Sequence, residues 1–311
     1  MKNPINNDYD VIIAGAGPAG LTASIYAVRS GMKAVVLEKE LPGGKVGKTG
    51  EIENYPGFDK IEGPELAFKF VDQAIKLGAN IEYSGLKSYK KEGNSFIVQL
   101  TNGKTITGTT LILATGTKER LLNVPGEKEL YGKGVSYCAV CDGANFKNEV
   151  VAVVGGGYSA VEESIFLSRL VSKVHLIHRS QKFRVDQKLL DKLKANEKVE
   201  LHLDSVVKSI NGQNSVEGVT IQSLLDNSEK SIGIKAIFPF IGQNPVTEFI
   251  EQTTILDENK HIVGDENMKT TIEGLFVAGD VRRSPLKQIA TAVSDGALAG
   301  QNAVKYIENL D

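Results

Sequence analysis

The chain has 311 residues, 41% of them hydrophobic and 24% charged, with a formal net charge of −2 at pH 7. That length exceeds what one hydrophobic core ordinarily organises, so two domains are expected. The balanced charge argues against nucleic acid or an anionic membrane surface as partner. Nor is there a run approaching the roughly 20 apolar residues of a membrane span, and the polar start from Met1 to Asp10 lacks a signal-peptide core, so a cytoplasmic location is expected.

The first recognisable unit runs from Asp10 to Lys39 as strand, glycine turn, helix and strand. Val11-Ile12-Ile13-Ala14 reads as a short buried strand, Gly15-Ala16-Gly17-Pro18-Ala19-Gly20 as the turn, and Leu21, Ile25 and Val28 as one apolar helix face. Pro18 falls where an early helical position tolerates a missing N–H. Ala34-Val35-Val36-Leu37 follows as a second strand ending at Glu38. Glycines at this spacing let the backbone approach a pyrophosphate at the helix N-terminus, and Glu38 stands where an adenosine ribose would be held.

Further along, Leu111-Ile112-Leu113-Ala114-Thr115-Gly116 is a strand running out into glycine. Then come the only two cysteines, in Ser136-Tyr137-Cys138-Ala139-Val140-Cys141-Asp142-Gly143. On a helical turn, Cα atoms three residues apart stand about 5 Å from one another, within the span a disulfide accepts. Asp142 adds a carboxylate able to pass a proton to or from a thiolate. Three other readings compete with redox chemistry. Half of a zinc site would need His175 and His178, which sit at alternate-face spacing on an apolar strand, with no second Cys-x-x-Cys present. A structural disulfide across so short a loop restrains little unfolded chain, and two inert buried thiols would be ordinary core residues. Redox activity is the favoured reading, with no metal expected.

The opening unit then recurs at an offset of 140 residues: Gly15, Gly17, Gly20 and Glu38 map onto Gly155, Gly157, Ala160 and His178. Val151 to Val154 is its first strand, Gly155-Gly156-Gly157-Tyr158-Ser159-Ala160 its turn, Val161, Ile165 and Leu170 its helix face, and Val174 to Ile177 its second strand. One glycine fingerprint is weak evidence, because glycine turns are common for steric reasons alone. Two in register point to two nucleotide sites. Glu38 would repel a 2′-phosphate and suit a plain ribose, whereas His178-Arg179-Ser180-Gln181-Lys182-Phe183-Arg184 carries cations that would attract one. The first site therefore reads as FAD and the second as NADPH, against the blander reading of the basic run as a solvated loop.

Near the end, Gly274 to Asp280 is a strand running into glycine and aspartate, and Gln288-Ile289-Ala290-Thr291-Ala292 opens a long C-terminal helix. Gly279 and Asp280 would meet ribityl or phosphate groups there, and the helix start would face the flavin. So late an element implies a discontinuous FAD domain. The 111–116 segment and Phe238-Pro239-Phe240-Ile241-Gly242 are the expected crossings.

These motifs, taken together with the Gly43-Gly44 turn and Ile52-Glu53-Asn54-Tyr55-Pro56-Gly57, resemble the low-molecular-weight bacterial thioredoxin reductases over essentially the whole chain. The resemblance implies an α/β protein of two Rossmann-like domains, with an NADPH domain at 118–245 inserted into a FAD domain at 1–117 and 246–311. It implies a homodimer acting on thioredoxin, with flavin contacts that include Lys39, Gly43, Gly44, Lys45, Asn54 and Lys287, and nicotinamide-nucleotide contacts that include Tyr158, Ser159, Arg179 and Arg184. In the family, hydride passes from NADPH to flavin, to the disulfide and on to thioredoxin, with rotation of the inserted domain between half-reactions. Carried over, Cys141 faces the flavin, Cys138 attacks thioredoxin and Asp142 is the acid/base.

Two residues depart from the family pattern: Ser180, where a second arginine is usual, and Lys45, where glutamine commonly follows the two glycines. Ser180 keeps open a relative that takes electrons from NADH or reduced ferredoxin. A flavin redox sensor that signals without turnover is the third alternative. The flavin subunit of alkyl hydroperoxide reductase would need an N-terminal extension with a further cysteine pair, for which the start of this sequence leaves no room.

Overall fold

The structure, a computed structural model, describes residues 7–48, 51–52 and 54–310, without the side chains of Glu51 and Cys141. Two compact units divide the chain, one formed by Met1–Lys118 with Asn244–Asp311 and the other by Glu119–Gln243.

In the first unit the strand Tyr9–Ala14 lies between Ala34–Leu37 and Thr105–Leu113, parallel to both, with Val11 level with Ala34 and Thr110. Its inner residues Val11 to Ala14 are all buried, as expected of a parallel strand covered on both faces. The nine-residue strand Thr105–Leu113 changes partners along its length. Its first half pairs antiparallel with Ser95–Leu100 and its last three residues pair parallel with Leu275–Val277. That late strand therefore joins the sheet beside Leu111 to Leu113, although more than 160 residues separate them in sequence.

The helices Pro18–Arg29 and Ile289–Glu308 pack together through small residues. A Cβ on Gly296 would stand 2.2 Å from Ala19 O, and one on Gly300 would stand 2.6 Å from Ala23 O. Only glycine lets these two backbones come so close. The closeness keeps the N-termini of both helices on the first unit's site.

In the second unit, Val150–Val154, Lys173–Ile177, Val199–His202 and Ala236–Pro239 form a parallel sheet in the order 199–202, 173–177, 150–154, 236–239. A separate antiparallel sheet of Ser205–Asn211, Gly218–Ser223 and Glu229–Gly233 shares one apolar cluster with it, through Ala152, Val154, Ile177, Val207, Ile221 and Ile232. The opposite face holds Val151, Val153, Leu176 and Phe238 against the helix Tyr158–Leu167. Among the described residues no helix is long and apolar enough to cross a membrane.

Candidate active site

The first glycine turn is shaped by steric contact. Gly15 has φ +110°, and a Cβ on it would lie 2.3 Å from Ala114 O; one on Gly20 would lie 1.9 Å from Gly15 O. Gly17 differs, since a Cβ there would meet nothing within 4 Å. Gly17 is also the N-cap of the helix Pro18–Arg29 and offers no side-chain cap, so the opening N–H groups face a space the protein leaves unfilled. An anionic group suits that space through the helix N–H donors and dipole.

Residues distant in sequence gather around this turn. Gly43 N–H donates to Ala16 O at 2.7 Å, and Gly44 approaches Gly17 closely enough that a Cβ would stand 3.0 Å from its Cα. Glu38 accepts the Ala16 N–H at 3.0 Å through Oε2 and the Glu40 N–H at 2.9 Å through Oε1. Ala19 reaches Gly279, whose φ is +76°. Lys287 Nζ donates to Asp280 O at 2.5 Å; burial lowers the Lys287 ammonium from its ordinary range, partly offset by the Asp280 carboxylate. Asn54 Nδ2 donates to Gln288 Oε1 at 3.1 Å, where Gln288 and Thr291 cap the helix Ile289–Glu308 reciprocally. Lys45 Nζ reaches Thr117 Oγ1 at 2.9 Å, and Thr115 Oγ1 donates to Val246 O at 2.7 Å, beside Gly116. Lys39 lies exposed, its stem against Gly85, and Ala290 is exposed in the first turn of the helix Ile289–Glu308.

A clamp that the motifs did not reveal holds this end together. Buried Asp295 accepts the Gly279 N–H at 3.1 Å and two bonds from Arg282, at 2.9 Å from Nε and 3.0 Å from Nη2. The only sequence signal was an acidic residue on the apolar face of a helix.

In the second unit the corresponding turn follows the same logic with one change. Gly155 has φ +146°, and a Cβ on it would stand 2.3 Å from Phe240 O and 2.8 Å from the Ala160 methyl. Gly157, N-cap of the helix Tyr158–Leu167, again faces open space. Gly156 lies directly over His178, whose ring a Cβ would strike at 2.1 Å. His178 is buried, packs at a tilt against Phe183 with 5.0 Å between centroids, and its Nε2 meets Lys182 O at 3.1 Å. It supports the turn from beneath. Arg184 N–H donates to Gly156 O at 2.8 Å, which brings the basic run alongside the glycines; Arg179 and Arg184 are exposed, as are Tyr158 and Ser159. Ser180 Oγ accepts the Lys182 N–H at 3.1 Å. On the helix, burial with Glu162 beside it pushes the Glu163 carboxyl up to about 7.

The cysteine segment belongs to this second unit. Cys138 is disulfide-bonded, and the sequence holds one other cysteine, Cys141, whose side chain lies outside the described atoms. The four-residue helix Ala139–Asp142 follows Cys138, and Asp142 N–H donates to Cys138 O at 3.2 Å. Ala139 and Gly143 seat the segment on the helix Tyr158–Leu167: Ala139 is buried in the cluster of Val161 and Ile165, and a Cβ on Gly143 would meet Leu167 at 2.8 Å. Two polar contacts escaped sequence reasoning. Ser136 Oγ donates to Asp142 Oδ2 at 2.6 Å. Tyr137 donates to Glu127 Oε1 at 2.7 Å, and this buried carboxylate also accepts the N–H groups of Leu122 and Asn123. Burial, and then Glu127, push the Tyr137 phenol far above its ordinary range.

A family model described as pyridine nucleotide-disulphide oxidoreductase matches residues 9–296. The chain belongs to this family. It is 45% identical over 303 residues to the thioredoxin reductase of Listeria monocytogenes, covering 97% of this chain and 95% of that one. The crystal structure of thioredoxin reductase from Streptococcus pyogenes is similar with a TM-score of 0.80 and 42% identity, over 97% of this chain and 98% of the other. A ferredoxin-flavin thioredoxin reductase from Clostridium acetobutylicum is similar with a TM-score of 0.53 and 32% identity, over 97% of this chain and 98% of the other. Both glycine turns and the disulfide segment thus fall within the family's matched span.

Proposed function

We propose that the chain is an NADPH-dependent thioredoxin-disulfide reductase that uses FAD. The observation that carries this reading is the disulfide at Cys138, standing at the head of a short helix that ends in Asp142, in a chain of the pyridine nucleotide-disulphide oxidoreductase family. Residues 1–117 and 246–311 are assigned to FAD, and 118–245 to NADPH and the cysteine pair. The protein is expected to work as a homodimer in which the second domain turns between half-reactions.

The glycine turns fit dinucleotides because Gly17 and Gly157 leave room where any side chain would intrude. Glu38 is held rigid by two N–H groups, and its remaining lone pairs suit ribose hydroxyls. Its charge disfavours a 2′-phosphate, while Arg179, Lys182 and Arg184 are exposed for one. When bound, FAD and NADPH together supply the electron pair that opens the disulfide. The chain's own residues then carry the exchange. The Cys138 thiolate attacks one sulfur of the thioredoxin disulfide, forming a mixed disulfide and expelling the other sulfur as thiolate. The Cys141 thiolate next attacks Cys138 Sγ, which releases the second thioredoxin sulfur and restores the Cys138–Cys141 disulfide. The expelled thiolates take up two protons to leave a dithiol, and Asp142 is the group that delivers one of them to the leaving sulfur.

Anaerobic titration of the flavin with NADPH and NADH in parallel, followed by thioredoxin, tests the proposal. NADPH should bleach the flavin and thioredoxin should restore it. A flavin that neither nucleotide reduces would overturn it. Ser180 and the likeness to the C. acetobutylicum protein motivate a second reading with ferredoxin as donor, which is favoured if reduced ferredoxin alone bleaches the flavin.

A further inference from the structure

Two histidines that the thiol chemistry leaves unused meet a glutamate between the two sheets of the second unit. His175 lies on Lys173–Ile177, and Glu200 and His202 lie on the neighbouring Val199–His202. The parallel register sets His175 level with Glu200, and Ile177 level with His202. Alternation along each strand therefore turns 175, 177, 200 and 202 to one face. That is the face on which Ile177 packs with Val207, Ile221 and Ile232 of the antiparallel sheet. Both imidazoles are 9% exposed, whereas Glu200 is 38% exposed and opens the group to solvent.

The donor atoms converge. His175 Nδ1 stands 2.9 Å from His202 Nε2, His202 Nε2 stands 3.4 Å from Glu200 Oε1, and His175 Nδ1 stands 3.8 Å from Glu200 Oε2. A zinc-type ion holds imidazole nitrogen and carboxylate oxygen at about 2.0–2.2 Å, so tetrahedral ligands lie roughly 3.3–3.5 Å from one another. The three separations bracket that value. Burial holds both imidazoles below the ordinary histidine range, which agrees with neutral rings carrying free lone pairs.

We infer that His175, Glu200 and His202 form a binding site for one divalent transition-metal ion of the zinc class, with a fourth position open to water. Lys173 engages Glu200 Oε2, which leaves Oε1 to face His202, an arrangement in which a second contact orients a ligating carboxylate. Lys230, 3.9 Å from Oε1, is the competing cation. In the metal-free chain one ring donates its N–H to the other, and metal binding requires that donor ring to take its other tautomer so that both facing nitrogens offer lone pairs. The set of two imidazoles and one carboxylate suits zinc, cobalt or nickel over calcium or magnesium, which prefer all-oxygen shells.

Equilibrium dialysis of the full-length, oxidised chain against ZnCl2, with bound metal counted by elemental analysis, tests the site. One equivalent should bind. Affinity should fall at least about tenfold in His202→Gln and in Glu200→Gln, and should be kept in a Cys138→Ser/Cys141→Ser chain. Glu200 is exposed enough that its isosteric change leaves folding intact, so loss there is not a folding artefact. Absence of uptake by the folded wild-type chain, or uptake unchanged in both ligand variants, would overturn the inference.

Discussion

Ser136 Oγ lies 2.6 Å from Asp142 Oδ2 and donates to it, while accepting the Cys138 N–H at 3.1 Å. One hydroxyl thus ties the carboxylate to the backbone of the disulfide-bonded residue. A hydrogen bond to a charged group contributes about 1.5–3 kcal/mol, or roughly tenfold to a hundredfold in rate if it is made in the transition state. Ser136→Ala is expected to slow thioredoxin reduction by about tenfold, to shift its pH profile, and to leave flavin reduction by NADPH unchanged. Asp142→Asn should impair the same step, and adding Ser136→Ala to it should cost little more. Wild-type turnover with an unmoved pH profile in Ser136→Ala would show that the hydroxyl is only structural.

Cys138→Ser is expected to keep NADPH-driven flavin reduction and lose thioredoxin turnover. Stopped-flow flavin absorbance separates the two half-reactions. Continued turnover of thioredoxin would assign the attacking thiol to Cys141 instead.

What the sequence made legible was local. The strands read at Val11–Ala14, Ala34–Leu37, Val151–Val154 and Val174–Ile177 correspond to observed strands, because each is a buried apolar run bounded by glycine or charge. Glycine spacing likewise marked both turns, since a positive φ and a close backbone approach leave no other residue type. Side-chain partnerships across distant elements were not legible. His175 could be paired on paper with His178, three residues on, but the register of two parallel strands sets it level with Glu200, where its Nδ1 lies 2.9 Å from His202 Nε2. The Asp295–Arg282 clamp and the Tyr137–Glu127 bond have the same origin: each depends on how elements dock, which periodicity does not record.

Ser180 offers its hydroxyl to the Lys182 N–H, where the family's usual residue would bring a guanidinium. Ser180→Arg is expected to raise kcat/KM for NADPH over NADH by about tenfold or more, through one added charge-assisted bond to the 2′-phosphate. Steady-state kinetics with both nucleotides measures this. A ratio that does not move would mean that the basic run lies away from the phosphate.

Gly17 and Gly296 separate room for a ligand from room for packing. A Cβ at Gly17 meets nothing within 4 Å, whereas one at Gly296 would stand 2.2 Å from Ala19 O. Gly17→Ala should change the unfolding midpoint of the flavin-free chain little, because glycine and alanine caps differ by only about 1 kcal/mol, yet should strip FAD from the purified protein. Gly296→Ala should lower that midpoint through forced separation of two helices, an overpacking cost of about 1–3 kcal/mol or more. Flavin content per chain and chemical denaturation distinguish the two. Full flavin retention in Gly17→Ala would remove the cradle from its assigned place.

Glu163 supplies a test of the second unit by pH. Burial first, and Glu162 second, push its carboxyl up to about 7 in the folded chain, against 4.5 for an ordinary glutamate. Between those values the folded chain holds a proton that the unfolded chain has lost, so this group's contribution to stability declines as pH rises from about 4.5 to about 7 and then levels. Glu163→Gln removes the ionisation while keeping the shape. The variant should be more stable than wild type at about pH 8, by about 1–3 kcal/mol after allowance for solvent screening, with little gain near pH 5. Urea denaturation at the two pH values reads the difference directly. An equal gain at both would mean that the carboxylate is solvated and the helix face it occupies is open to water.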